Sequence, residues 1–497
     1  MEVTIRQVAP LVIVLTGATF LNTLSAQSVV ILLPTISRDL NIPENRQQWI
    51  VSAYALTAGS FLLLCGKLAD IYGKRLMFIL GALWFGATSL GAAFSPFEIC
   101  MYAMRALQGI GAAVCVPTAI GIIGHAIPPG RVKNYSFAFY CGGAPIGQVF
   151  GNLLGGIISN YVNWKVVFFV TAGASFMVSF VAIFVIPKEQ PTRSIDALRT
   201  SNIDWMGAFL FTAGLLLLLI SLSEGVSQGW KSSSTIAMLT ISIIFLALFV
   251  FWQHHLEKMS YEPLMKVSTF KTARFSLAML IVCIFSAGFT NFLVYSTYFY
   301  QDYQLLSPIQ TTLRFIPLGI VGLGTTFGSG YLLSRVRGNY ILIFGLGSAS
   351  IAHLLLAVPI PPSKSYFAYG LPAMCLAAFG ADTVYPFLGL FTTQSLPRKD
   401  QGVAGAMFQT VASIGRAMFL PITAAIQSSV QMKDIRNGSS ERHALLEGLR
   451  AVEWFCFACM VASLGITAFG LRNIGKVGLL KKLGTVQSAS EEKDSRV

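Results

Sequence analysis

Long apolar runs, separated by short polar segments, constrain this chain more than any other feature of its sequence. Only 11% of the residues are charged and 54% are hydrophobic, whereas a soluble chain carries about a quarter charged residues. A helix that crosses a bilayer needs about 20 mostly apolar residues. We therefore predict an all-α polytopic membrane protein with fourteen spans, at residues 8–32, 48–69, 76–95, 98–124, 134–160, 165–186, 204–222, 234–253, 275–298, 310–333, 339–358, 365–390, 402–427 and 450–471.

The positive charges predict how these spans are oriented. If the N-terminus is cytoplasmic, most of the Lys and Arg residues fall in cytoplasmic segments, as the positive-inside rule requires. Both termini are then cytoplasmic, with the plasma membrane as the expected location and a vacuolar or other endomembrane as the alternative. This asymmetry accounts for the net charge of +14, so we expect the lipid bilayer as a partner and no nucleic acid.

Two polar connections divide the spans into groups of six, two and six. Residues 187–203 follow the sixth span, and residues 254–274 follow the eighth. The predicted domains are a six-helix bundle at 1–186, a linker with two extra helices at 187–274, a second six-helix bundle at 275–472 and a disordered cytoplasmic tail at 473–497.

A weak internal repeat relates the two groups of six. Gly66-Lys-Leu-Ala-Asp70 has an echo in Gly330-Tyr-Leu-Leu-Ser334, and Gly111-Ala-Ala-Val-Cys-Val-Pro117 has one in Gly380-Ala-Asp-Thr-Val-Tyr-Pro386, at closely similar separations. Two matches in one register indicate duplicated halves, although chance similarity between Gly/Ala-rich helices is the alternative. Parallel repeats of this kind place a substrate site at the bilayer midplane, between the halves.

The segment Gly66-Lys-Leu-Ala-Asp-Ile-Tyr-Gly-Lys-Arg75 lies between two long apolar runs. An acid and a basic cluster do not belong in hydrocarbon, so we place them on a tight cytoplasmic turn between two spans. This turn resembles the loop between the second and third helices of the major facilitator superfamily of secondary transporters. The resemblance implies a charge latch between helices that slide past one another, formed by Gly66, Asp70, Gly73, Lys74 and Arg75.

Arg105 lies within the fourth predicted span, and a guanidinium in a membrane usually faces a partner or a watery cavity. Gln108 follows three residues later and therefore lies on the same helix face. The pattern Arg-x-x-Gln-Gly-x-Gly resembles the fourth-helix motif of proton-coupled exporters in the superfamily, which implies a role for Arg105 in proton coupling. The alternative is an arginine that locks one helix to another.

The fifth predicted span carries a glycine every fourth residue, a pattern that lets a neighbouring helix approach closely. Phe150-Gly-Asn-Leu-Leu-Gly-Gly156 resembles the antiporter signature of the same family, but Asn152 replaces its usual proline. We expect Gln148 and Asn152 to line a cavity. The four glycines that we expect to pack against another helix are Gly143, Gly147, Gly151 and Gly155.

Asp382 is the one acid that we predict near the middle of a span. Burial favours the neutral form of a carboxyl group, so this residue is a candidate proton carrier. A static pair with Arg416 or a hydrogen bond to a neighbouring helix is the alternative. Related exporters often carry an acid in the first helix, where this chain has Asn22. We therefore include Asn22 in the predicted coupling and cavity set but shift the proton-binding role to Asp382.

Taken together, the chain resembles the fourteen-helix drug:proton antiporter branch of the superfamily, and is similar to fungal aminotriazole- and boron-resistance exporters and to toxin efflux pumps. The resemblance implies a monomer that exports a small organic compound, whether drug, toxin or metabolite, in exchange for protons. Uptake or facilitated diffusion of a nutrient, metalloid acid or siderophore is the first alternative. A transport-inactive membrane sensor is a second.

Other features of the sequence argue against an enzyme. The sequence contains no HExxH, GxSxG or phosphate-binding glycine-rich motif in the structural context that its chemistry requires. We therefore expect no catalytic residues, no metal and no cofactor. The sequon Asn437-Gly-Ser439 falls in the predicted outer loop before the last span. In a eukaryotic host Asn437 is therefore the expected glycosylation site.

Overall fold

Helices make up the regular structure of the part of the chain that the computed structural model describes, which is residues 5–42, 49–128, 130–161, 163–188, 204–227, 229–259, 261, 263–358, 365–396 and 401–472. The α-helices are α1 (Ile5–Asp39), α2 (Trp49–Ser60), α3 (Leu62–Tyr72), α4 (Lys74–Ala93), α5 (Glu98–Ala126), α6 (Arg131–Tyr161), α7 (Lys165–Val185), α8 (Trp205–Ser227), α9 (Ser233–Lys258), α10 (Ala273–Tyr298), α11 (Pro308–Arg335), α12 (Gly338–Ala357), α13 (Tyr366–Gln394), α14 (Gln401–Arg436) and α15 (Glu441–Gly470). A 3₁₀-helix at Val267–Lys271 precedes α10, and a π-helical turn at Phe299–Tyr303 follows it.

The helices confirm the all-α membrane architecture, and each predicted span is occupied by one helix except the second, which holds two. The second span is the bent pair α2 and α3, which meet at 48°. Among the described residues, 12 helices are long and apolar enough to cross a membrane, or 13 if the bent pair is one span. Helix α6 has 31 residues and is long enough, but glycines and polar side chains make it less apolar than the others. The count of fourteen membrane crossings therefore stays a prediction.

The same helix pairings recur in the first six and the last six predicted spans. Helix α1 packs on α6 as α10 packs on α14, and α4 packs on α5 as α12 packs on α13. Gly111 and Gly380, which belong to the sequence repeat, allow equivalent close approaches. A Cβ atom on Gly111 would lie 3.0 Å from the backbone of Phe85, and one on Gly380 would lie 2.9 Å from the carbonyl oxygen of Gly345. The fold thus repeats along the chain, as the sequence motifs predict.

The glycine ridge of α6 faces α1 along most of its length. A Cβ atom on Gly143 would lie 2.8 Å from a side-chain carbon of Thr16, and one on Gly155 would lie 2.9 Å from the carbonyl oxygen of Ser28. Between them, the backbone oxygen of Gly151 accepts a 2.9 Å hydrogen bond from the Ser28 hydroxyl. Only the absence of side chains at these positions lets the two helices lie this close.

The two extra helices, α8 and α9, pack on each other, and α8 also contacts α2 and α14. Asp204, just before α8, accepts 2.8 Å hydrogen bonds from the backbone of Gly207 and from the indole of Trp252 on α9. Gln253 donates to the same carboxylate. This node joins the ends of α8 and α9. The domain boundaries at 186 and 274 stay predictions, and both 189–203 of the linker and the tail 473–497 lie outside the described residues.

Candidate functional site

A cavity of about 460 Å³ lies between the two repeated halves. Its wall is formed mainly by α1 and α6 of the first half and by α10, α11, α13 and α14 of the second. This volume falls in the range of small-molecule sites, about 300–1,000 Å³. The aromatic part of the wall includes Phe289, Tyr298, Phe315, Tyr385 and Phe408, and amide side chains are supplied by Gln27, Gln148, Asn152, Gln301 and Gln409.

Asp382 is the acid in the wall of this cavity, among the residues that the structure describes. It lies near the middle of α13, is 3% exposed, and its Oδ2 accepts a 3.3 Å hydrogen bond from the Thr325 hydroxyl on α11. Arg416 also lines the cavity, but its guanidinium donates to Ser413 at 2.9 Å. Within the described chain no ion pair joins Asp382 to Arg416, so the static pair considered above is not formed in this conformation.

Both polar residues predicted on α6 reach the cavity. Gln148 and Asn152 lie one helical turn apart in its wall. The Oδ1 atom of Asn152 is buried and has no hydrogen-bond partner among the described residues. A buried polar atom without a partner is unfavourable, so this oxygen is available to a donor on a bound molecule or to water.

Arg105, Gln108 and Asn22 lie outside the wall of the cavity. The Arg105 side chain is fully buried; its Nε donates a 2.9 Å hydrogen bond to the carbonyl oxygen of Ile50 on α2. Its guanidinium carbon lies 4.6 Å from the centre of the Tyr54 ring, and its Nη1 donates to Gln108. The geometry is that of the helix-locking alternative, and a part in proton coupling stays a prediction.

Gln108 and Asn22 extend this buried network to α4 and α1. The amide nitrogen of Gln108 donates a 2.6 Å hydrogen bond to the Ser89 hydroxyl and a 3.2 Å one to the Ser25 hydroxyl. The backbone oxygen of Asn22 accepts a 3.3 Å hydrogen bond from the Tyr54 hydroxyl. We expected Asn22 and Gln108 to face the cavity, but the structure buries both side chains outside its wall. The Gln108 amide is turned towards α1 and α4 of its own half.

The predicted latch residues lie at one end of the interface between the halves. Asp70 and Lys74 form an ion pair of 2.9 Å with both side chains buried. The other carboxylate oxygen of Asp70 accepts a 3.1 Å hydrogen bond from the backbone N–H of Val403, in the first turn of α14. An acid at a helix N-terminus is favoured by the helix dipole. Asp70 thus joins the first half directly to the second.

The remaining latch residues hold the turn itself. Gly73 has a φ of 95°, a conformation that side chains disfavour, and it reverses the chain between α3 and α4. Gly66 is buried within α3. Arg75 donates a hydrogen bond to the carbonyl oxygen of Ile183 at the end of α7, so its contact stays within the first half.

The cavity extends from the middle of the halves towards the end opposite the latch. Its wall includes Ile31 in the second part of α1, Gln301 just after α10 and Thr311 at the start of α11. At the latch end the halves are in contact, since a Cβ atom on Gly405 of α14 would lie 2.9 Å from Ile120 of α5. The structure therefore has its latch end closed. Asn437 is exposed in the turn between α14 and α15, at the end opposite the latch.

One buried pair of ionisable residues was missed by the sequence analysis. His353 on α12 and Glu453 on α15 approach to 2.6 Å between Nδ1 and Oε2. We predicted that the last span begins at residue 450, which puts Glu453 at its edge. Helix α15 begins at Glu441 instead, so Glu453 lies well inside the bundle. The long outer loop predicted before this span is replaced by extensions of α14 and α15. The polar faces of these extensions were the sequence signal that could have predicted them.

Comparison with known proteins decides the family. The model of the Major Facilitator Superfamily matches residues 15–420. The chain belongs to this superfamily. It is a multi-pass membrane transporter, and the family and fold are those of transporters rather than enzymes.

Several fungal relatives are similar over most of the chain. It is 26% identical to the aminotriazole resistance protein of Saccharomyces cerevisiae, over 89% of this chain and 81% of that protein. It is 26% identical to the efflux pump terJ of Aspergillus terreus, over 88% and 82%. The low affinity ammonium transporter of Saccharomyces cerevisiae is 28% identical over 77% and 74%. The aminotriazole resistance protein and the efflux pump confirm the resemblance to the drug-efflux type of the superfamily.

The fold itself is similar to solved structures. The crystal structure of the human organic anion transporter MFSD10 matches with a TM-score of 0.63 and 14% identity, over 92% of this chain and 100% of that one. At this identity the match supports the fold alone.

Proposed function

We propose that this transporter exports a small organic compound in exchange for protons, by alternating access to the cavity between its halves. The observation that carries the proposal is the position of Asp382. It faces a cavity shared by both halves and has no cationic partner among the described residues. A carboxyl group in this setting can exist in both a charged and a neutral form, as a proton carrier must.

In the proposed cycle, a proton and the exported compound occupy the cavity alternately. With the cavity open to the outside, a proton binds to Asp382 and neutralises it. The halves then rock, and on the cytoplasmic side the compound binds as Asp382 releases its proton. The amides of Gln148 and Asn152 supply hydrogen bonds, and the aromatic side chains supply apolar contact. The compound is carried out when the halves rock back.

The rocking requires the latch contact between Asp70 and Val403 to form and break once per cycle. This contact crosses between the halves, whereas the Asp70–Lys74 pair lies within one of them. We place the latch on the cytoplasmic side, with both termini, in the plasma membrane. We further propose that the transporter acts as a monomer and that Asn437 is glycosylated on the outer side.

The experiment starts from cells that express the chain or lack it, screened for sensitivity to a panel of toxicants and host metabolites. A compound to which the two kinds of cell differ in sensitivity is then added to vesicles that contain the purified protein and a pH-sensitive dye. Proton movement opposite to the compound supports the proposal. We expect Asp382→Asn to bind the compound but to lose this coupled proton flux. Asp434→Asn, near the far end of α14, is the control and should behave as the unmodified protein. Coupled flux that survives in Asp382→Asn would refute the assigned role.

Uptake of a nutrient is the second candidate, whether by proton coupling or by facilitated diffusion. It is supported by the similarity to an ammonium transporter and by Asn22 in the first helix, where related exporters often carry an acid. The direction of transport separates the two. Cells that express an exporter accumulate less of the compound, and dissipating the proton gradient removes the difference. Higher accumulation on expression would favour uptake.

A further inference from the structure

A second buried acid lies away from the central cavity, where α12 contacts α15. Oε2 of Glu453 lies 2.6 Å from Nδ1 of His353, and the two side chains are 4% and 2% exposed. The other carboxyl oxygen, Oε1, is buried and has no hydrogen-bond partner in the described part of the chain. Burying a bare carboxylate oxygen is unfavourable. Binding a proton, a water molecule or both would therefore stabilise this oxygen.

A small cavity of about 30 Å³ adjoins this pair. One water molecule needs about 10–15 Å³ of such a cavity, so there is room for roughly two. Glu453 and Tyr295 both line it, while Tyr298, one turn further along α10, lines the central cavity. The last turn of α10 therefore separates the two cavities.

The groups around Glu453 explain why its free oxygen is the available site. Tyr295 of α10, Tyr369 of α13 and Arg450 of α15 also line the small cavity. Arg450 donates a 2.6 Å hydrogen bond to Glu447, and the Tyr369 hydroxyl accepts one of 3.1 Å from Gln304. Among the described side chains, His353 is the one that bonds the Glu453 carboxyl group.

We propose that His353 and Glu453 form a second proton-binding site, in which a proton from water in the small cavity binds to Oε1 of Glu453. With one proton between Nδ1 and Oε2 and a second on Nε2 of His353, the pair is neutral. The added proton comes from a hydronium ion, which is left as water, and the pair becomes singly positive. No bond other than O–H changes. Because α10 lies between the two cavities, the charge at this site contributes to the pH dependence of transport without contacting the cargo.

Infrared pH-difference spectra of the full-length protein in lipid nanodiscs test this directly and need no cargo. The background is Asp382→Asn, so that the acid of the central cavity is silent. On acidification we expect a carbonyl band of a protonated carboxylic acid that Glu453→Gln removes. Glu447→Gln, on the same helix but partly exposed, is the matched control and should retain the band. A spectrum that is the same with and without Glu453→Gln would overturn the proposal, as would the absence of any such band while the protein remains folded.

A second variant keeps the test decisive if the glutamine variant does not fold. Glu453→Asp retains an acid but withdraws it from His353 by one methylene. We expect the midpoint of the band to move by about one pH unit or more, a tenfold change in proton affinity. A purely structural pair would lower the unfolding temperature and leave the midpoint where it was, and that outcome would also overturn the proposal.

Discussion

The substitution Asp70→Asn removes the charge from a latch side chain that contacts both halves. In the structure its carboxylate binds Lys74 at 2.9 Å within the first half and the N–H of Val403 at 3.1 Å in the second. The asparagine has nearly the same shape and retains an oxygen that can accept the Val403 hydrogen bond. What it loses is the charge on that bond and the partner of Lys74.

The size of the shift in equilibrium depends on which Asp70 contact differs between the states with the latch end closed and open. A hydrogen bond to a charged group contributes about 1.5–3 kcal/mol and a neutral one about 0.5–1.5 kcal/mol. The Val403 bond exists only while the latch end is closed, so its weakening by about 1–2 kcal/mol shifts the equilibrium by a factor of about 5–30 towards states with that end open. The Lys74 pair lies within one half and, if it persists in both states, cancels from this difference.

Distance measurements by electron spin resonance report this shift. Spin labels at Tyr72 and Ser395, both exposed at the latch end of opposite halves, are introduced into a protein with its native cysteines replaced. We expect Asp70→Asn to increase the population of long distances. Arg75→Gln is the control, because it removes a charge from the same turn, but the hydrogen bond that Arg75 donates to Ile183 stays within the first half. An unchanged distance distribution in Asp70→Asn, or an equal change in both variants, would refute the reasoning.

Three further predictions concern packing, the buried arginine and topology. Gly151→Ala should lower the free energy of unfolding by about 1–3 kcal/mol, because its Cβ would lie 2.7 Å from the carbonyl oxygen of Leu24. Thermal unfolding in detergent tests this, with Gly324→Ala as the control because Gly324 has open space around it. Equal unfolding temperatures for the two variants would contradict the prediction. Arg105→Met should unfold at a lower temperature but retain any coupled proton flux per folded molecule, whereas loss of flux without loss of stability would assign Arg105 to coupling. Asn437→Gln should abolish a mobility shift caused by glycosidase treatment; if the unmodified protein shows no shift in a eukaryotic host, the predicted orientation loses its main support.

The helices could be predicted from the sequence because hydropathy acts locally. Each span must satisfy its own backbone hydrogen bonds in lipid, so its position depends on composition within about 20 residues. Helix α6 shows the limit of this argument. It occupies the predicted span 134–160 but packs between α1 and α11, so its glycines and amides need not face lipid, and it is less apolar than the other helices of the predicted spans. The ends of α14 and α15 were misplaced for a related reason, since both helices continue beyond their apolar parts.

Which way a buried polar side chain faces could not be predicted in the same manner. Arg105 and Asp382 both lie in spans of 29 residues, and each was assigned to a cavity. The structure turns Asp382 towards the other half and Arg105 towards α2 of its own half. The rotation of a helix about its axis depends on its packing partners, and those are remote in sequence. Gln148 and Asn152 lie in the cavity wall beside the glycine ridge, whose contacts with α1 determine how α6 is rotated.

The uneven contribution of the two halves to the polar groups of the cavity wall bears on how a proton could drive the cycle. In the wall of the central cavity, within the described residues, the carboxyl group comes from the second half, and the first half contributes hydroxyl and amide groups. Away from the latch end, the buried charge of the first half among the described residues is Arg105, which is always protonated under ordinary conditions and is held by the carbonyl oxygen of Ile50 and the ring of Tyr54. A group whose charge does not change cannot sense a proton, so the part of the first half around Arg105 is suited to move as a rigid body. Proton binding must then change the second half, where Asp382 bridges α13 to α11 through Thr325. Neutralising Asp382 weakens that bond and frees α11 to shift against α6, its neighbour across the interface.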